Sequence, residues 1–427
     1  MFRFRLQSVV AAAALVAAIS GRAAAQTSDP PPAPSPADAV FDDTVLHEIR
    51  LALNSKDWTA LKTDYLDNTY YPSDLRWRDQ VVRNIGIRSR GTGSRSGIKP
   101  GLRIDFDRYT TGQKFLGLKS FVLRNNTQDA SGMHERISTL FFRRMGVPAP
   151  REAHTRLYVN NAYAGLYTIV ESVDKDFLKR VDHEDGGYLY KYDYNVNDRP
   201  WYFDDRGSDP KLYVPSPFKP ETHELDPRPE KLVELVRIVN HDSDAIFRKT
   251  VQPFLDLERF IKHIAIEIFL ADSDGFSGNW GMNNFYLYRF ENKDLFQFIP
   301  WDKSEAFRDG PEYGIWHNIL DVPASAQNRL TRRALGYADL RNRFLDTLAD
   351  CARSLGETDP STPKDTRGWM EREIEREYQQ IKDWAAVADE DKLNYSKEAF
   401  EQEVESLRTF ARRRGEFVLT EVSKSRR

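Results

Sequence analysis

The chain of 427 residues has few residues of the kinds that cross-link a protein or give it a charge of one sign. Its single cysteine, Cys351, excludes an intrachain disulfide and a thiolate metal cage, since structural zinc sites take several Cys or His ligands. Its 62 Lys and Arg residues nearly balance 65 Asp and Glu residues, for a net charge of −3. Such a balance gives no global attraction to nucleic acid or to an anionic membrane. Stability must therefore come from packing, and binding from a local site.

The apolar run near the N-terminus is too short for a transmembrane helix, which needs about 20 residues. It spans residues 9–19, follows Arg3 and Arg5, and precedes the small residues 23–25. This order is typical of a cleaved signal peptide, which we expect over residues 1–25. A buried core helix is the alternative. The signal predicts an exported protein, periplasmic or extracellular, with no integral membrane segment after cleavage.

The rest of the chain has the composition of a folded protein that follows a linker. A Pro-rich stretch predicts a linker over residues 26–40, and the folded part is expected to begin near Phe41. Apolar residues make up 40% of the chain and aromatic residues 12%. This content is enough to bury a large core, and it excludes a disordered protein.

The first half of the folded part alternates β-like runs with glycine-rich turns. The predicted strands are residues 81–88, 102–106, 120–124, 155–159 and 165–170. Apolar residues at helical spacing predict one amphipathic helix over residues 133–145, and the segment 146–148 (GVP) ends it. Residues 192–230, which are rich in Pro, Asp and Tyr, are expected to be a loop.

The second half begins with a strongly periodic helix, predicted over residues 255–271, that leads into a Gly- and Asn-rich loop. Two β-like runs, residues 284–290 and 295–299, predict a hairpin. Asp302 lies just past its end. From Asn328 onward the pattern is helical, which predicts a C-terminal helical subdomain.

The loop at residues 272–284 carries the most informative side chains. Asp274 lies within it, Asn284 begins the predicted hairpin, and Asp302 follows the hairpin. Because the two ends of a hairpin lie close together, Asn284 and Asp302 are expected to share a hard cation such as Mg²⁺, with Asn283 as the alternative amide ligand. Asp274 would then accept a proton from a hydroxyl or orient it. The alternative is that these residues only form turns.

Residues of the first half are candidates for contacts with phosphate groups. The Gly-, Ser- and Arg-rich segment 90–99 lies between two predicted strands, where backbone N–H groups could approach phosphates; a solvated turn is the alternative. Glu135 is expected to pair with a phosphate-directed cation, Lys119 or Arg103, as a helix Glu pairs with a strand Lys in protein kinases.

Nine stretches, taken together, resemble the spore-coat protein H family (CotH kinase family) of atypical secreted kinases. They are residues 87–94 (IRSRGTGS), 118–126 (LKSFVLRNN), 145–151 (MGVPAPR), 165–171 (GLYTIVE), 174–178 (DKDFL), 188–191 (YLYK), 274–276 (DGF), 283–288 (NNFYLY) and 299–302 (IPWD). The resemblance covers the chain from about residue 44 to 310. The ordered set is specific, although each stretch alone is not.

The resemblance implies an α+β, atypical protein-kinase-like fold with two lobes. A β-rich N-lobe is expected over residues 41–173. A C-lobe with the catalytic loop and the metal-binding hairpin is expected over residues 174–324, and the helical subdomain over residues 325–427. The hinge, along which adenine would lie, is expected at residues 170–173.

The resemblance also implies an activity, namely transfer of the ATP γ-phosphoryl group to Ser or Thr hydroxyls of proteins with Mg²⁺ or Mn²⁺. Asp274 is then the catalytic aspartate, and Asn284 and Asp302 are the metal ligands. The residues expected to bind the nucleotide are Arg88, Lys99, Arg103, Lys119, Glu135 and Glu171. The expected partners are ATP and a protein acceptor, with no nucleic acid.

Two other functions remain open at this point. One is a non-catalytic, kinase-shaped protein for structure or surface assembly, and the other is a metal-dependent hydrolase of phosphoesters or glycosides. Eight scattered histidines show no metal-ligand spacing on one helix face and are expected in core or surface roles. Residues 412–414 (RRR) are expected to be a solvated helix face.

Overall fold

Seven strands of the first half close into a barrel in the order β1-β2-β3-β4-β5-β7-β6. The structure is a computed structural model that describes residues 35–193, 201–278, 281–308, 314–320, 328–385 and 395–426. The strands are His47–Ala52 (β1), Tyr71–Trp77 (β2), Gln80–Ser89 (β3), Leu102–Asp105 (β4), Ser120–Arg124 (β5), Glu152–Val159 (β6) and Ala162–Glu171 (β7). Neighbouring strands are antiparallel, except that β1 and β6 pair in parallel and close the barrel.

Apolar side chains fill the interior of the barrel because alternate residues of each strand point inward. In β1 the buried residues alternate with more exposed ones. Phe106, Phe115 and Phe121 pack against one another with ring centroids between 5.3 and 6.4 Å apart. Burial of each such ring stabilises the fold by about 1.5–3 kcal/mol. The barrel is therefore a packed core, which leaves the strand ends and loops to bind ligands.

The folded part begins earlier than the sequence predicts. Residues Pro36–Ala39 form a 3₁₀ helix that Ser35 caps. Ala37 is 2% exposed and Val40 is fully buried, and both pack in the barrel cluster. Residues 35–40 therefore belong to the folded part rather than to a linker, because Ala37 and Val40 are held against the barrel.

Two helices interrupt the strands of the first half, Ser55–Thr63 (α1) and His134–Arg144 (α2). Helix α2 lies within one residue of its predicted bounds at each end, and strands β3 to β7 lie within three residues of theirs. The prediction of a single helix in this half is wrong, because α1 is a second one, and β1 and β2 were not predicted. Eight residues of α2 are buried on almost all sides of the helix.

A second sheet of four antiparallel strands lies in the order β11-β10-β8-β9. Its strands are Tyr188–Tyr192 (β8), Phe218–Pro220 (β9), Phe285–Arg289 (β10) and Phe296–Pro300 (β11). The hairpin β10–β11 confirms the prediction. The predicted loop over residues 192–230 is wrong in part, because it contains β9 and a short 3₁₀ helix, Pro210–Leu212. Its residues 194–200 lie outside the described residues.

The remaining helices pack around this sheet and around one another. They are Lys175–Asp182 (α3), Glu230–His241 (α4), Asp244–Val251 (α5), Leu257–Phe269 (α6), Arg329–Leu335 (α7), Ala338–Leu355 (α8), Trp369–Ala385 (α9) and Lys397–Ser425 (α10). Ten of the thirteen residues of α6 are buried, which makes it the central helix of this half. It packs mainly against α8, and α8 against α10.

Arg414 of α10 corrects the prediction that residues 412–414 form a solvated face. Its guanidinium is fully buried and donates to the backbone oxygens of Ile268 and Phe269, at 2.9 and 3.0 Å. It also donates to two carbonyls of the segment 314–320, at 2.8 and 2.7 Å. The last carbonyls of a helix have no partner within the helix, so Arg414 supplies the donors that the end of α6 lacks.

The fold is of the predicted α+β class, with a β-rich first half followed by a largely helical second half. Its division into two lobes and a C-terminal subdomain, at the predicted boundaries, stays a prediction. Within the described residues, no helix has the length and apolar character required to cross a membrane.

Candidate active site

A cavity of about 580 Å³ lies where the loop after β3, the loop after α6 and the end of the β10–β11 hairpin meet. Four of the predicted site residues, Asp274, Asn284, Asp302 and Arg88, line it together with Asn283. Residues 90–95 of the glycine-containing loop form another part of the wall. The three segments on which the sequence analysis relied are thus brought to one place.

Two amide side chains orient the carboxylate of Asp274. Asn283 donates through Nδ2 to Asp274 Oδ1 at 2.9 Å. Asn284 donates through Nδ2 to Asp274 Oδ2 at 2.8 Å and to the backbone oxygen of Asp274 at 3.0 Å. Each carboxylate oxygen therefore has a fixed donor, and both neighbouring asparagines contribute.

Burial raises the pKa of Asp274 to about 7. The hydrogen bond from Asn283 opposes this rise, whereas the nearby carboxylates of Asp272, Asp302 and Glu305 add to it. A carboxylate with a pKa close to neutrality is suited to accept a proton. The same excess of negative charge is what a bound cation would neutralise.

The hairpin holds Asn284 and Asp302 side by side in an uncommon backbone conformation. The N–H of Trp301 donates to the oxygen of Asn284 at 3.0 Å. Asn284 has a φ of 53° and Asp302 a φ of 49°, in the left-handed region. Asn and Asp tolerate this region better than most residues, and such conformations cluster at functional sites. The prediction that the hairpin brings these two residues together is therefore confirmed.

Arg124 connects Asp302 to Glu135 of α2. Its Nη1 lies 2.7 Å from Asp302 Oδ2 and its Nη2 lies 2.5 Å from Glu135 Oε1. Burial alone would raise the pKa of Asp302, but Arg124 and then Arg90 hold it below its usual value. Burial raises the pKa of Glu135 to about 7, against the effect of Arg124. Asp302 thus stays ionised at neutral pH.

The predicted partners of Glu135 were Lys119 and Arg103, and both are wrong. Lys119 precedes β5 and pairs with Asp107 at 3.2 Å. Arg124 is the last residue of β5, so it lies about 16 Å further along the strand. Arg103 donates to Ser120 at the other end of β5. The end of β5 that carries Arg124 faces the hairpin, so a cation at this end reaches both Glu135 and Asp302.

Arg90 is a cation of the cavity wall that sequence reasoning did not single out. It makes no ion pair with any described residue, and its guanidinium lies 5.4 Å from the centre of the Trp301 ring. Arg124 lies 5.6 Å from the centre of the same ring. Burial, and then Arg124, lower the pKa of Arg90 to about 10. Its charge is therefore available to an anionic ligand.

The glycine-containing loop is held in a fixed shape. Gly91 has a φ of 123°, and a Cβ there would lie 2.6 Å from Ser94 Oγ. Arg95 donates to the backbone oxygen of Gly91 at 2.8 Å and to Asn68 at 2.6 Å. Arg88, a predicted nucleotide-binding residue, also donates to Asn68, at 2.8 Å. This loop is ordered by arginines at its base.

Five of the predicted nucleotide-binding residues do not line the described cavity: Lys99, Arg103, Lys119, Glu135 and Glu171. Lys99 is buried beside the ring of Tyr167, 5.1 Å from its centre, and burial lowers its pKa to about 8. Glu171 accepts from Arg151 at 2.7 Å and from Arg180 at 2.9 Å, so it is a buried ion-pair residue.

The position of Glu171 follows from the strand register. β7 runs antiparallel to β5, so Glu171 lies opposite Phe121, whereas Arg124 lies opposite Thr168. The expected hinge at residues 170–173 packs its valines in one cluster with aromatic residues of the hairpin. The space beside the expected hinge is therefore occupied by side chains of the protein.

A buried ion cluster supports the loop that carries Asp274. Lys303 lies 2.6 Å from Glu267 Oε1 and 2.9 Å from Asp272 Oδ2. Glu267 also accepts from the backbone N–H groups of residues 276 and 277. A Cβ at Gly275 would lie 2.6 Å from Asp272 Oδ2, so glycine is required there. Sequence reasoning missed Lys303, whose signal was its place directly after a candidate metal ligand.

The donor set fits Mg²⁺ or Mn²⁺ that also binds phosphate oxygens. Within the described residues, no three His, Cys, Asp or Glu side chains form a closed metal cage. Mg²⁺ usually takes one or two carboxylates and completes its shell with water and phosphate. Asp302 supplies an ionised carboxylate. The side-chain N–H groups of Asn284 donate to Asp274, whereas the amide oxygen of Asn284 makes no hydrogen bond to a described residue.

Comparisons with known proteins identify the family of the chain. Inner spore coat protein H of Bacillus subtilis (strain 168) is 26% identical over 316 residues, which are 74% of this chain and 83% of the relative. The crystal structure of the Helicobacter pylori proinflammatory kinase CtkA aligns with 9% identity and a TM-score of 0.30, over 74% of this chain and 94% of that chain. So low a TM-score supports no conclusion. The family described as CotH kinase protein matches residues 87–418. Because this match spans most of its length, the chain belongs to the CotH kinase protein family.

Proposed function

We propose that this chain is a kinase that transfers the γ-phosphoryl group of ATP to Ser or Thr hydroxyls of proteins. Membership of the CotH kinase protein family supports kinase chemistry. The observation that carries the proposal is the meeting of Asp274, Asn284 and Asp302 at one cavity. Arg90, which has no ion pair with a described residue, lines the same cavity. Phosphoryl transfer depends mainly on positioning and on neutralised charge, which such a set provides.

Asp274 is the proposed proton acceptor. In the reaction the acceptor oxygen forms a bond to the γ-phosphorus, the bond from phosphorus to the β,γ-bridging oxygen breaks, and ADP leaves. The hydroxyl proton moves to a carboxylate oxygen of Asp274. Asn283 and Asn284 hold the two oxygens in place. A pKa of about 7 lets Asp274 take up this proton and then release it near neutral pH.

The two arginines near Trp301 have different proposed roles. Arg90 has no ion pair among the described residues, so its guanidinium can donate to phosphate oxygens. Arg124 already bridges Asp302 and Glu135, so it acts mainly by fixing Asp302. This division explains why both cations are present beside one ring.

Asn284 and Asp302 are the proposed ligands of Mg²⁺ or Mn²⁺, which when bound supplies neutralisation of the phosphate charge. Asp302 is suited to this role because Arg124 and Arg90 keep it ionised. Asn283 donates its amide to Asp274, and Asn284 retains a free oxygen among the described contacts, which favours Asn284 over Asn283 as the ligand.

Export to a periplasm or to the extracellular space is also part of the proposal. It rests on the signal peptide expected over residues 1–25, which lie outside the described residues. The relative from Bacillus subtilis is named as a spore coat protein, which is compatible with an exported or surface location.

A non-catalytic assembly protein is the second candidate function. The name of the same relative, an inner spore coat protein, favours it because that name describes a structural component. A protein of this kind has no need for an ionised Asp302 beside a carboxylate with a pKa of about 7. The phosphotransfer assay separates the two candidates.

The test incubates purified protein with γ-labelled ATP, Mg²⁺ or Mn²⁺ and generic protein acceptors, next to Asp274→Asn and Asp302→Asn. Asp350→Asn, at an exposed position of α8, is the matched control. We expect label on Ser or Thr with the wild type and the control, and none with the two site variants. Transfer that survives both site substitutions would contradict the site. A wild type that binds no nucleotide would favour the assembly protein, and release of labelled phosphate without acceptor labelling would favour a hydrolase.

A further inference from the structure

His134, the first residue of α2, connects three distant parts of the chain. It is 4% exposed and directly precedes Glu135. Its Nδ1 lies 3.1 Å from the backbone oxygen of Ser304, and its Nε2 lies 3.0 Å from Glu403 Oε1 on α10. Glu403 lies 269 residues after His134 in the sequence.

The two contacts determine the protonation of the ring. A carbonyl oxygen only accepts hydrogen bonds, and so does an ionised carboxylate. The side chain of Glu403 is 30% exposed, and Arg308 lies close enough to lower its pKa in addition to His134, so Glu403 is ionised near neutral pH. Both ring nitrogens of His134 therefore face acceptors, and only an imidazolium donates to both.

The surroundings of His134 favour this charged form. From the loop before α2, Asp129 places Oδ1 3.6 Å from Nε2, and its Oδ2 accepts the N–H of His134 at 2.7 Å. Glu403 lies on α10, and Arg308 also lowers its pKa. The ring of Phe307 packs edge-on against the ring of His134, with the ring centres 5.6 Å apart. Burial on its own lowers the pKa of His134, but Asp129 and Glu403 outweigh it and raise the pKa to about 9.

The contacts of His134 lead directly to the proposed site. Ser304, whose carbonyl binds His134, donates through Oγ to Asp302 Oδ1 at 3.1 Å. The other oxygen of Asp302 binds Arg124, and Arg124 binds Glu135, the neighbour of His134. The path thus closes into a ring that fixes Asp302 from both of its oxygens.

We propose that His134, as an imidazolium, is a positioning residue that ties α10 to the segment after Asp302 and to the start of α2. It thereby holds Asp302 and Glu135 in the geometry that phosphoryl transfer requires. The inference rests on the proposed function and adds α10 to the parts of the chain on which that function depends. Loss of an outer partner of a metal ligand typically lowers activity about 10–100-fold.

The test compares Glu403→Gln with Glu416→Gln, an exposed position of the same helix that makes no ion pair with a described residue. Glu403 keeps 30% of its side chain exposed, so its substitution by an isostere leaves the fold intact, which the melting temperature checks. In Glu403→Gln, His134 loses its proton at a lower pH. We therefore expect kcat to fall about ten-fold or more at pH 8.5 and less at pH 6.5, with Glu416→Gln unchanged at both.

His134→Gln, which cannot donate to both acceptors, is expected to lower kcat at both pH values. A wild-type pH profile in Glu403→Gln, or a wild-type kcat in His134→Gln, overturns the positioning role and leaves the proposed function standing. A wild type without any transfer overturns both. The ¹⁵N shifts of the histidine rings in the full chain, assigned with His134→Gln, test the charge separately: His134 as imidazolium at pH 8 is expected, and a neutral ring there contradicts the inference.

Discussion

Removal of Arg124 is expected to affect both stability and activity. Its guanidinium bridges Glu135 and Asp302, and the Arg124 and Glu135 side chains are only 6% and 7% exposed. Arg124→Met keeps the bulk of the side chain but removes the cation that bridges the carboxylates of Glu135 and Asp302. Loss of one partner of a buried ion pair typically destabilises a protein by about 3–5 kcal/mol.

The effect of Arg124→Met depends on pH in a predictable direction. The pKa of Glu135 is already raised to about 7 in the folded protein, and removal of Arg124 raises it further. A carboxyl group with a raised folded pKa stabilises below its unfolded pKa, and this contribution is lost as pH rises through the folded pKa. The loss in free energy of unfolding should therefore be larger at pH 8 than at pH 5.

Urea unfolding at pH 5 and pH 8, with phosphotransfer at pH 8, measures these effects. The matched control is Arg50→Met, which breaks the surface pair with Glu48, whose side chains are 37% and 33% exposed. That pair is expected to contribute at most about 1 kcal/mol. If Arg124→Met unfolded at the same urea concentration as the control and kept its transfer rate, the account of Asp302 would be wrong.

Three other substitutions test separate parts of the site and its support. Asp274→Asn removes a proton acceptor and a partly buried charge, so it should lower the transfer rate about 10²–10⁴-fold without loss of stability in urea. Transfer by the wild type should rise with pH through about 7, and a flat pH profile would contradict the role of Asp274. Lys303→Met leaves Glu267 and Asp272 without their cation and should lower the free energy of unfolding by about 3–5 kcal/mol, whereas an unchanged urea midpoint would show that the cluster does not support the loop. Arg414→Met leaves buried carbonyls at the end of α6 without donors and should cost about 1–3 kcal/mol or more, with Arg413→Met, at an exposed position, as the control.

Local patterns were sufficient to predict the strands that carry alternating apolar residues and the helices with a clear apolar stripe. Strand β5 and helix α2 follow from such patterns, and so does the hairpin β10–β11. The hairpin in turn places Asn284 beside Asp302, because antiparallel pairing brings its ends together. The core of the candidate site was therefore predictable. α1 was not, since its apolar residues form only a weak stripe.

Side-chain partners that depend on packing between distant elements could not be predicted. Whether Glu135 meets Lys119 or Arg124 depends on which end of β5 faces the hairpin, and no local pattern encodes this. Three consecutive arginines look solvated in sequence, yet Arg414 is buried because the end of α6 offers it four carbonyl acceptors together with the segment 314–320. His134 looked like one of eight scattered histidines for the same reason.

Titration of Mn²⁺, in the presence of a non-hydrolysable ATP analogue and followed by electron paramagnetic resonance, measures most directly whether one divalent cation joins the two ends of the hairpin. One tight site is expected in the wild type and in Asp350→Asn. Its affinity should fall about ten-fold or more in Asp302→Ala and Asn284→Ala, which lack the proposed ligand oxygens. Equal Mn²⁺ binding by all four proteins, or none by the wild type, would contradict the central claim.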